Sequence, residues 1–123
     1  MAKVAESHIK GNVPPKAKFG KYLRRDLTTY FTRLNRKKIA VEYEFLRDGP
    51  TQTGIAYPKY YLWVTVHTGT KLVDEGAARA AAIDRRRFEV THYLPEAAMK
   101  KDPEQIDSVF PLPVGDRIRQ RLK

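Results

Sequence analysis

The chain has 123 residues, of which 41% are hydrophobic and 31% charged, and its formal net charge at neutral pH is +10. This length suits one ordinary domain, the composition excludes a wholly disordered chain, and the absence of cysteine excludes a disulfide framework. Because no apolar run approaches the roughly 18 residues of a membrane span and the N-terminus lacks a signal-peptide core, we predict a cytoplasmic protein without membrane association.

The positive charge is concentrated at the two ends of the chain. Residues 1–38 contain 11 basic and 2 acidic residues, residues 39–113 contain 9 basic and 11 acidic residues, and residues 114–123 contain 4 basic residues and 1 acidic residue. Charge placed at the ends of a chain is typical of segments that contact a polyanion. Solvated ends that contact nothing are the alternative interpretation.

The first predicted elements are a flexible basic arm and an amphipathic helix. Residues 1–20 are polar and contain glycine, proline and lysine, a composition typical of a flexible arm, and residues 21–123 form the predicted single α+β domain. Over residues 21–37 basic side chains, including Arg25 and Arg36, lie on one side of the predicted helix, where they face solvent or a partner. The apolar residues that recur with a helical period on the other side are Leu23, Leu27, Tyr30, Phe31 and Leu34.

Four β-strands follow the predicted helix. Apolar and polar residues alternate over residues 39–46, and residues 59–67 and 88–94 are rich in aromatic and β-branched side chains. Residues 71–83 contain a row of alanines, which favours a helix by propensity. We predict a strand there instead, bulged at Gly76, because a hairpin turn precedes it and a second turn follows it. The alternative is a helix that makes a βαβ unit.

The order of these elements predicts the architecture. An N-terminal amphipathic helix and a four-stranded antiparallel meander make an α+β fold, in which the helix packs on one face of the sheet. Short C-terminal helices are predicted over residues 95–101, after Asp102, and over residues 114–122, where Val114, Ile118 and Leu122 give a narrow apolar stripe on a basic helix. In element order, residues 21–95 are similar to cystatin-like and nuclear-transport-factor-2-like rolls. This resemblance implies the helix-on-sheet arrangement and transfers no functional residue.

The two faces of the predicted sheet differ in character. In residues 59–67 the more apolar face, which begins at Tyr60, is the one that we predict packs on the helix. Tyr61, Trp63 and Tyr93 are assigned to the other face, and such an aromatic face predicts a dimer interface, a ligand site or a base-stacking platform. Of these, a homodimer is the commonest outcome for a protein of this size. The candidate interface or pocket residues are Tyr61, Trp63, His67, His92 and Tyr93.

Arginines form the second group of candidate residues. Three consecutive arginines occupy the turn between the third and fourth predicted strands. The planar fork of donors in arginine suits phosphate, so this turn and the basic chain ends would together hold a phosphate backbone. The alternative is a solvated turn whose charge Asp84 and Glu89 partly neutralise. The candidate nucleic-acid-binding residues are Arg25, Arg36, Arg85, Arg86, Arg87, Arg117, Arg119 and Arg121.

No motif in the sequence assigns a reaction. The histidines lack metal-ligand spacing, the carboxylates form no recognisable acid–base pair, and no phosphate loop or nucleophile motif is present. We therefore predict no catalytic residue, no metal site and no cofactor, and we favour a protein that is not an enzyme. The first functional hypothesis is a module that binds nucleic acid. The alternatives are a homodimeric assembly protein with an acidic protein partner, and a ligand-binding or enzymatic roll with a pocket between helix and sheet.

Overall fold

A computed structural model describes residues 13–51 and 57–123 as a helix on a four-stranded sheet, followed by three short helices. The elements are α1 (Lys16–Asn35), β1 (Ala40–Phe45), β2 (Lys59–Thr68), β3 (Lys71–Asp84), β4 (Arg87–Pro95), α2 (Glu96–Lys101), α3 (Glu104–Val109) and α4 (Leu112–Leu122). The strands lie in the order β1-β2-β3-β4, and each pairs antiparallel with the next. The predicted α+β arrangement is thereby confirmed. Within the described ranges, no helix is long and apolar enough to span a membrane.

Helix α1 begins earlier than the sequence predicts. It starts directly after Pro15, whose backbone is extended with φ −55° and ψ 145°, so residues 16–20 are helical rather than part of a flexible arm. Residues 1–12 of the predicted arm lie outside the described residues. The helix ends at Arg36, which adopts the left-handed conformation with φ 55°. This conformation stops a helix because it turns the following chain away from the helix axis.

The apolar side of α1 packs on one face of the sheet. Leu23, Leu27 and Phe31 are at most 1% exposed, as their helical period predicts, whereas Leu34 is 53% exposed. The small alanine side chains of β3 on this face let the helix lie close to the sheet. The sheet residues of this core, called the α1 core below, include Val41, Tyr60, Leu62, Val64, Val66, Ala78, Ala80, Ala82 and Phe88.

The alanine-rich segment over residues 71–83 is a strand, as predicted. It pairs with β2 on one side and β4 on the other, and Gly69 takes a φ of 61° in the turn before it. The predicted bulge at Gly76 is wrong, because this residue pairs regularly with both neighbouring strands. A Cβ at Gly76 would lie 2.8 Å from Pro95 Cα and closer still to the Leu94 carbonyl oxygen. Glycine is therefore needed there for close approach of the backbones.

A bulge in β4 decides which of its side chains face α1. His92 and Val90 pair with consecutive residues of β3, so Thr91 between them has no partner in the ladder. One inserted residue reverses the alternation of side chains along the rest of a strand. Tyr93 consequently packs in the α1 core, with its ring centroid 4.7 Å from that of Phe31. Its predicted place on the opposite face of the sheet is therefore wrong.

The opposite face of the sheet is covered by the three short helices. Tyr61 and Trp63 lie in this second core and are each 4% exposed. The helices cover them with apolar side chains that include the fully buried Met99, Ile106 and Ile118. The prediction that these two aromatic residues form an exposed face is wrong. Apolar periodicity locates a short helix in the sequence but does not show that it folds back over the sheet.

Candidate functional site

The hairpin between β3 and β4 carries three arginines at its tip. Arg85 and Arg86 form the turn, and Arg87 is the first residue of β4. The backbone N–H of Arg86 donates a 2.7 Å hydrogen bond to Asp84 Oδ1, which closes the turn. All three arginines are exposed, and their guanidinium groups form no hydrogen bond or ion pair with the part of the chain that the structure describes. We call residues 84–87 the arginine hairpin.

Two residues of α1 anchor the arginine hairpin. Arg25 donates through Nη2 to the Arg86 carbonyl oxygen over 2.6 Å and through Nε to Asp26 Oδ1 over 2.9 Å. Asp26 Oδ2 accepts a 2.7 Å hydrogen bond from the backbone N–H of Phe88 in β4. The hydrogen bond from Arg25 to Asp26 raises the pKa of Arg25, so this guanidinium stays charged. Arg25 was predicted to contact phosphate, and the structure shows it holding the hairpin against α1.

Further cations lie on both sides of helix α1. Lys21 and Arg24 border an open groove of 520 Å³ between α1 and β1. Arg33 and Arg87 border a groove of 680 Å³ between α1 and β4. The acidic residues of its described lining are Asp26, which anchors the hairpin, and Glu89. The helix and the hairpin therefore both carry cations beside these grooves. We call the following exposed cations the α1–hairpin surface: Lys16, Lys21, Arg24, Arg33, Arg85, Arg86 and Arg87.

Arg36 lies at the carboxyl end of α1, away from the arginine hairpin. The hairpin is anchored at Arg25, which is about 16 Å from Arg36 along the helix axis at 1.5 Å per residue. Arg36 is exposed and is followed by the exposed residues Lys37 and Lys38. Of the candidate arginines of the N-terminal half, the structure brings Arg25 to the hairpin and leaves Arg36 at the far end of the helix.

The three candidate arginines of α4 lie on the other side of the sheet, and each is bonded within the protein. Arg117 donates to the Leu46 carbonyl oxygen over 3.0 Å, and Arg119 forms a 2.9 Å ion pair with Asp107. Arg121 forms an ion pair with Glu44 of β1. Its Cζ also lies 5.1 Å from the ring centroid of the buried Trp63. The sheet separates these arginines from the α1–hairpin surface.

The two candidate histidines of the sheet do not converge. His67 pairs with Leu72 beside the β2–β3 turn, whereas His92 lies on β4 with its Nδ1 atom 2.7 Å from Arg79 Nη2. Because arginine can only donate, Nδ1 of His92 accepts this hydrogen bond, and a neutral ring carries its proton on Nε2. In residues 13–51 and 57–123 no group of three potential metal ligands is present.

The three candidate aromatic residues pack inside the protein and not on one surface. Tyr61 and Trp63 lie beneath the C-terminal helices, and the Tyr61 hydroxyl shares a 2.6 Å hydrogen bond with Thr51 Oγ1. Tyr93 lies on the other side of the sheet, where burial, and after it the neighbouring Asp74 carboxylate, raises the pKa of Tyr93. These residues therefore stabilise the two cores.

The sequence predicted the arginine hairpin and the basic side of the helix but not their junction. Arg24 and Arg33 are functional candidates that sequence reasoning did not single out. The available signal is that residues 16–35 contain six basic residues and one acidic residue, Asp26. That lone acid marks the point at which α1 meets the hairpin, a contact between residues far apart in the sequence.

No family model, no curated protein and no solved structure matches this chain. The similarity to cystatin-like and nuclear-transport-factor-2-like rolls is therefore one of element order.

Proposed function

We propose that this protein is a non-catalytic module that binds the phosphate backbone of nucleic acid through the α1–hairpin surface. The observation that carries the proposal is the set of three exposed arginines on a hairpin anchored by Arg25 and Asp26. The anchor fixes the position of these arginines, and a phosphate-binding turn gains from such order. An ordered donor loses less conformational entropy on binding than a donor on a mobile segment.

The chemistry of the surface suits phosphate. Each guanidinium presents a planar fork of donors that pairs with two phosphate oxygens, and release of counterions from the nucleic acid drives association. Arg33 and Arg87 border the same groove, so successive phosphates along a strand would meet cations from both the helix and the hairpin. The arginines of α4 have carboxylate, carbonyl or aromatic partners within the protein, which supports an orientation with α1 towards the nucleic acid.

The alternative functions have less support. The homodimer hypothesis depended on an exposed aromatic face, and Tyr61 and Trp63 are buried under α2 to α4. The hypothesis of an enclosed pocket between helix and sheet has less support, because Leu23, Leu27 and Phe31 fill the middle of that contact and leave only open grooves along its edges in the described residues. An acidic protein partner would use the same cations as nucleic acid, and the salt-dependent titration below addresses the nucleic acid directly.

The test is a binding titration with a labelled oligonucleotide at several salt concentrations. The variant replaces Arg85, Arg86 and Arg87 by alanine. We expect weaker binding, with the slope of log K against log salt reduced by up to about 2.7 for duplex and about 2.1 for single strands, at roughly 0.9 and 0.7 per lost phosphate contact.

A second variant controls for net charge. Lys100 and Lys101 lie on α2 and Lys123 directly follows α4, at the helices that cover the opposite face of the sheet, and replacing the three lysines by alanine removes the same formal charge. We expect this variant to bind almost as the wild type does. Equal weakening by the two variants would mean that only net charge matters, and a wild-type protein that binds no nucleic acid at low salt would overturn the proposal.

A further inference from the structure

An open groove with an aromatic floor lies at the amino end of α1, beside the arginine hairpin. Its volume is 660 Å³, and the residues that line it include Pro15, Lys16, Phe19, Phe45, Tyr60 and Arg85. Phe19 packs edge-on against Tyr60 and Phe88, with ring centroids 5.0 Å apart in both pairs. The groove therefore has an apolar base built into the α1 core and two cations at its rim.

Phe45 is the exposed aromatic residue of this groove. It is the last residue of β1 and is 43% exposed, although it belongs to the apolar alternation of that strand. Its ring is held by Phe19, Tyr60 and Tyr43, with centroid distances of 6.1, 6.3 and 5.7 Å. A large apolar ring left partly in water and fixed by its neighbours presents a preorganised surface for another flat group.

The charges around the groove select an anionic ligand. Lys16 and Arg85 are exposed, and within the described residues neither side chain forms an ion pair. The neighbouring Asp84 carboxylate accepts a hydrogen bond from the backbone N–H of Arg86 and forms no ion pair with Arg85. An aromatic ring beside cations of this kind is the arrangement by which proteins bind single strands, since a base stacks on the ring while the phosphates pair with the cations.

We propose that this groove takes an unpaired base of single-stranded nucleic acid, stacked on Phe45, with the adjoining phosphates at Lys16 and Arg85. The inference rests on the proposed function, because Arg85 belongs both to the groove and to the α1–hairpin surface. Bases in a duplex are already stacked on each other, so they cannot reach the ring. The protein therefore prefers single strands to duplex, and this preference depends on Phe45.

The test compares a labelled single strand of about 16 nucleotides with a duplex of the same sequence. Phe45→Ala should weaken binding of the single strand roughly tenfold, within the range measured for loss of one base–aromatic stack, and should leave duplex binding unchanged. The salt dependence should not change, since no phosphate contact is lost. Phe45→Trp should restore single-strand binding, because it restores a stacking ring. Leu72→Ala is the matched control, since Leu72 is 47% exposed near the β2–β3 turn and lines no part of the groove.

The outcomes separate this inference from the proposed function. Equal effects of Phe45→Ala on single strand and duplex, or no effect on either, would overturn the stacking site while leaving the phosphate-binding surface in place. Binding of neither nucleic acid by the wild type would overturn both. If Phe45→Ala does not fold, Phe45→Leu keeps an apolar side chain without a ring, and unchanged binding by that variant would equally contradict the inference.

Discussion

Asp26 has a structural role that its place on a basic helix does not suggest. It accepts hydrogen bonds from Arg25 and from the backbone N–H of Phe88, and its side chain is 16% exposed. The N–H of an edge strand is otherwise open to pairing with another chain, so this carboxylate also protects the edge of the sheet. A buried donor left without an acceptor costs more than the hydrogen bond itself contributes.

Replacing Asp26 with alanine should lower the free energy of unfolding by about 1–3 kcal/mol, because the Phe88 amide loses its acceptor. Chemical denaturation would measure this change. Asp107→Ala is the matched control, since Asp107 also pairs with an arginine over 2.9 Å but is 57% exposed. We expect the control to lose less than about 1 kcal/mol. Equal losses in the two variants would show that the link between α1 and the hairpin adds nothing beyond a surface ion pair.

Glu75 is expected to make the stability of the protein fall as the pH rises. Burial raises the pKa of Glu75 above the ordinary 4.5, and hydrogen bonding and repulsion from Glu96 raise it further, against a lowering contribution from the Trp63 hydrogen bond. Lys100, which pairs with Glu96 over 3.0 Å, balances only part of this negative charge. A carboxyl whose pKa is raised by folding stabilises the protein while protonated, and that stability is lost as the pH rises through the raised value.

Replacing Glu75 with glutamine should therefore remove one source of destabilisation at neutral pH. We expect the variant to gain thermal stability over the wild type at pH 7 and to gain less at a pH below 4.5, where the wild-type carboxyl is protonated. Melting temperatures measured across this range would show the difference. A gain that is the same at both ends of the range would rule out the carboxyl as its source.

At the scale of the elements, the sequence predicts what local pattern determines and misses what packing determines. The helical period of Leu23, Leu27 and Phe31 and the alternation of β2 both predict buried faces that the structure confirms. The bulge at Thr91 leaves no trace in the alternation, because a one-residue shift in pairing is decided by the neighbouring strand. The cover of α2 to α4 is missed for a similar reason, since short amphipathic segments pack only after the sheet exists.

The cover over the second face predicts a stability effect for Trp63. Trp63→Ala should lower the free energy of unfolding by about 3–5 kcal/mol, because it opens a cavity between the sheet and α4. Urea denaturation would measure it, with Leu72→Ala at an exposed position expected to change stability by about 0.5 kcal/mol or less. A Trp63→Ala variant of unchanged stability but altered sedimentation would instead restore the interpretation of an exposed interface.

Across the whole molecule, the arginines on the two sides of the sheet differ in whether they have partners within the protein. Each arginine of α4 has a partner within the protein, and these partners are Leu46, Asp107, Glu44 and Trp63. The guanidinium groups of the hairpin arginines have no such partner in the described residues. Sequence reasoning placed both groups in one candidate site, because both are dense in arginine. The difference depends on contacts between residues distant in sequence, so composition could not reveal it.

Phe45 shows the same limit for the candidate site. The alternation of β1 predicts that this side chain is buried with Val41 and Tyr43, and the exposed ring follows from its position at the end of an edge strand, near the first turn of α1. No local sequence pattern shows at which residue of a strand the helix packed on the sheet ceases to cover it.

Binding of nucleic acid through the α1–hairpin surface can be tested by mapping backbone amide chemical shifts as a single-stranded oligonucleotide is added at low salt. We expect the largest shifts in α1 and in residues 84–88, with α2 to α4 little affected, because the arginine hairpin carries three guanidinium groups without a hydrogen-bond or ion-pair partner in the described residues. Higher salt should reverse these shifts, since phosphate contacts supply the affinity. Shifts concentrated in α4, or no shifts at any oligonucleotide concentration, would contradict binding through the α1–hairpin surface.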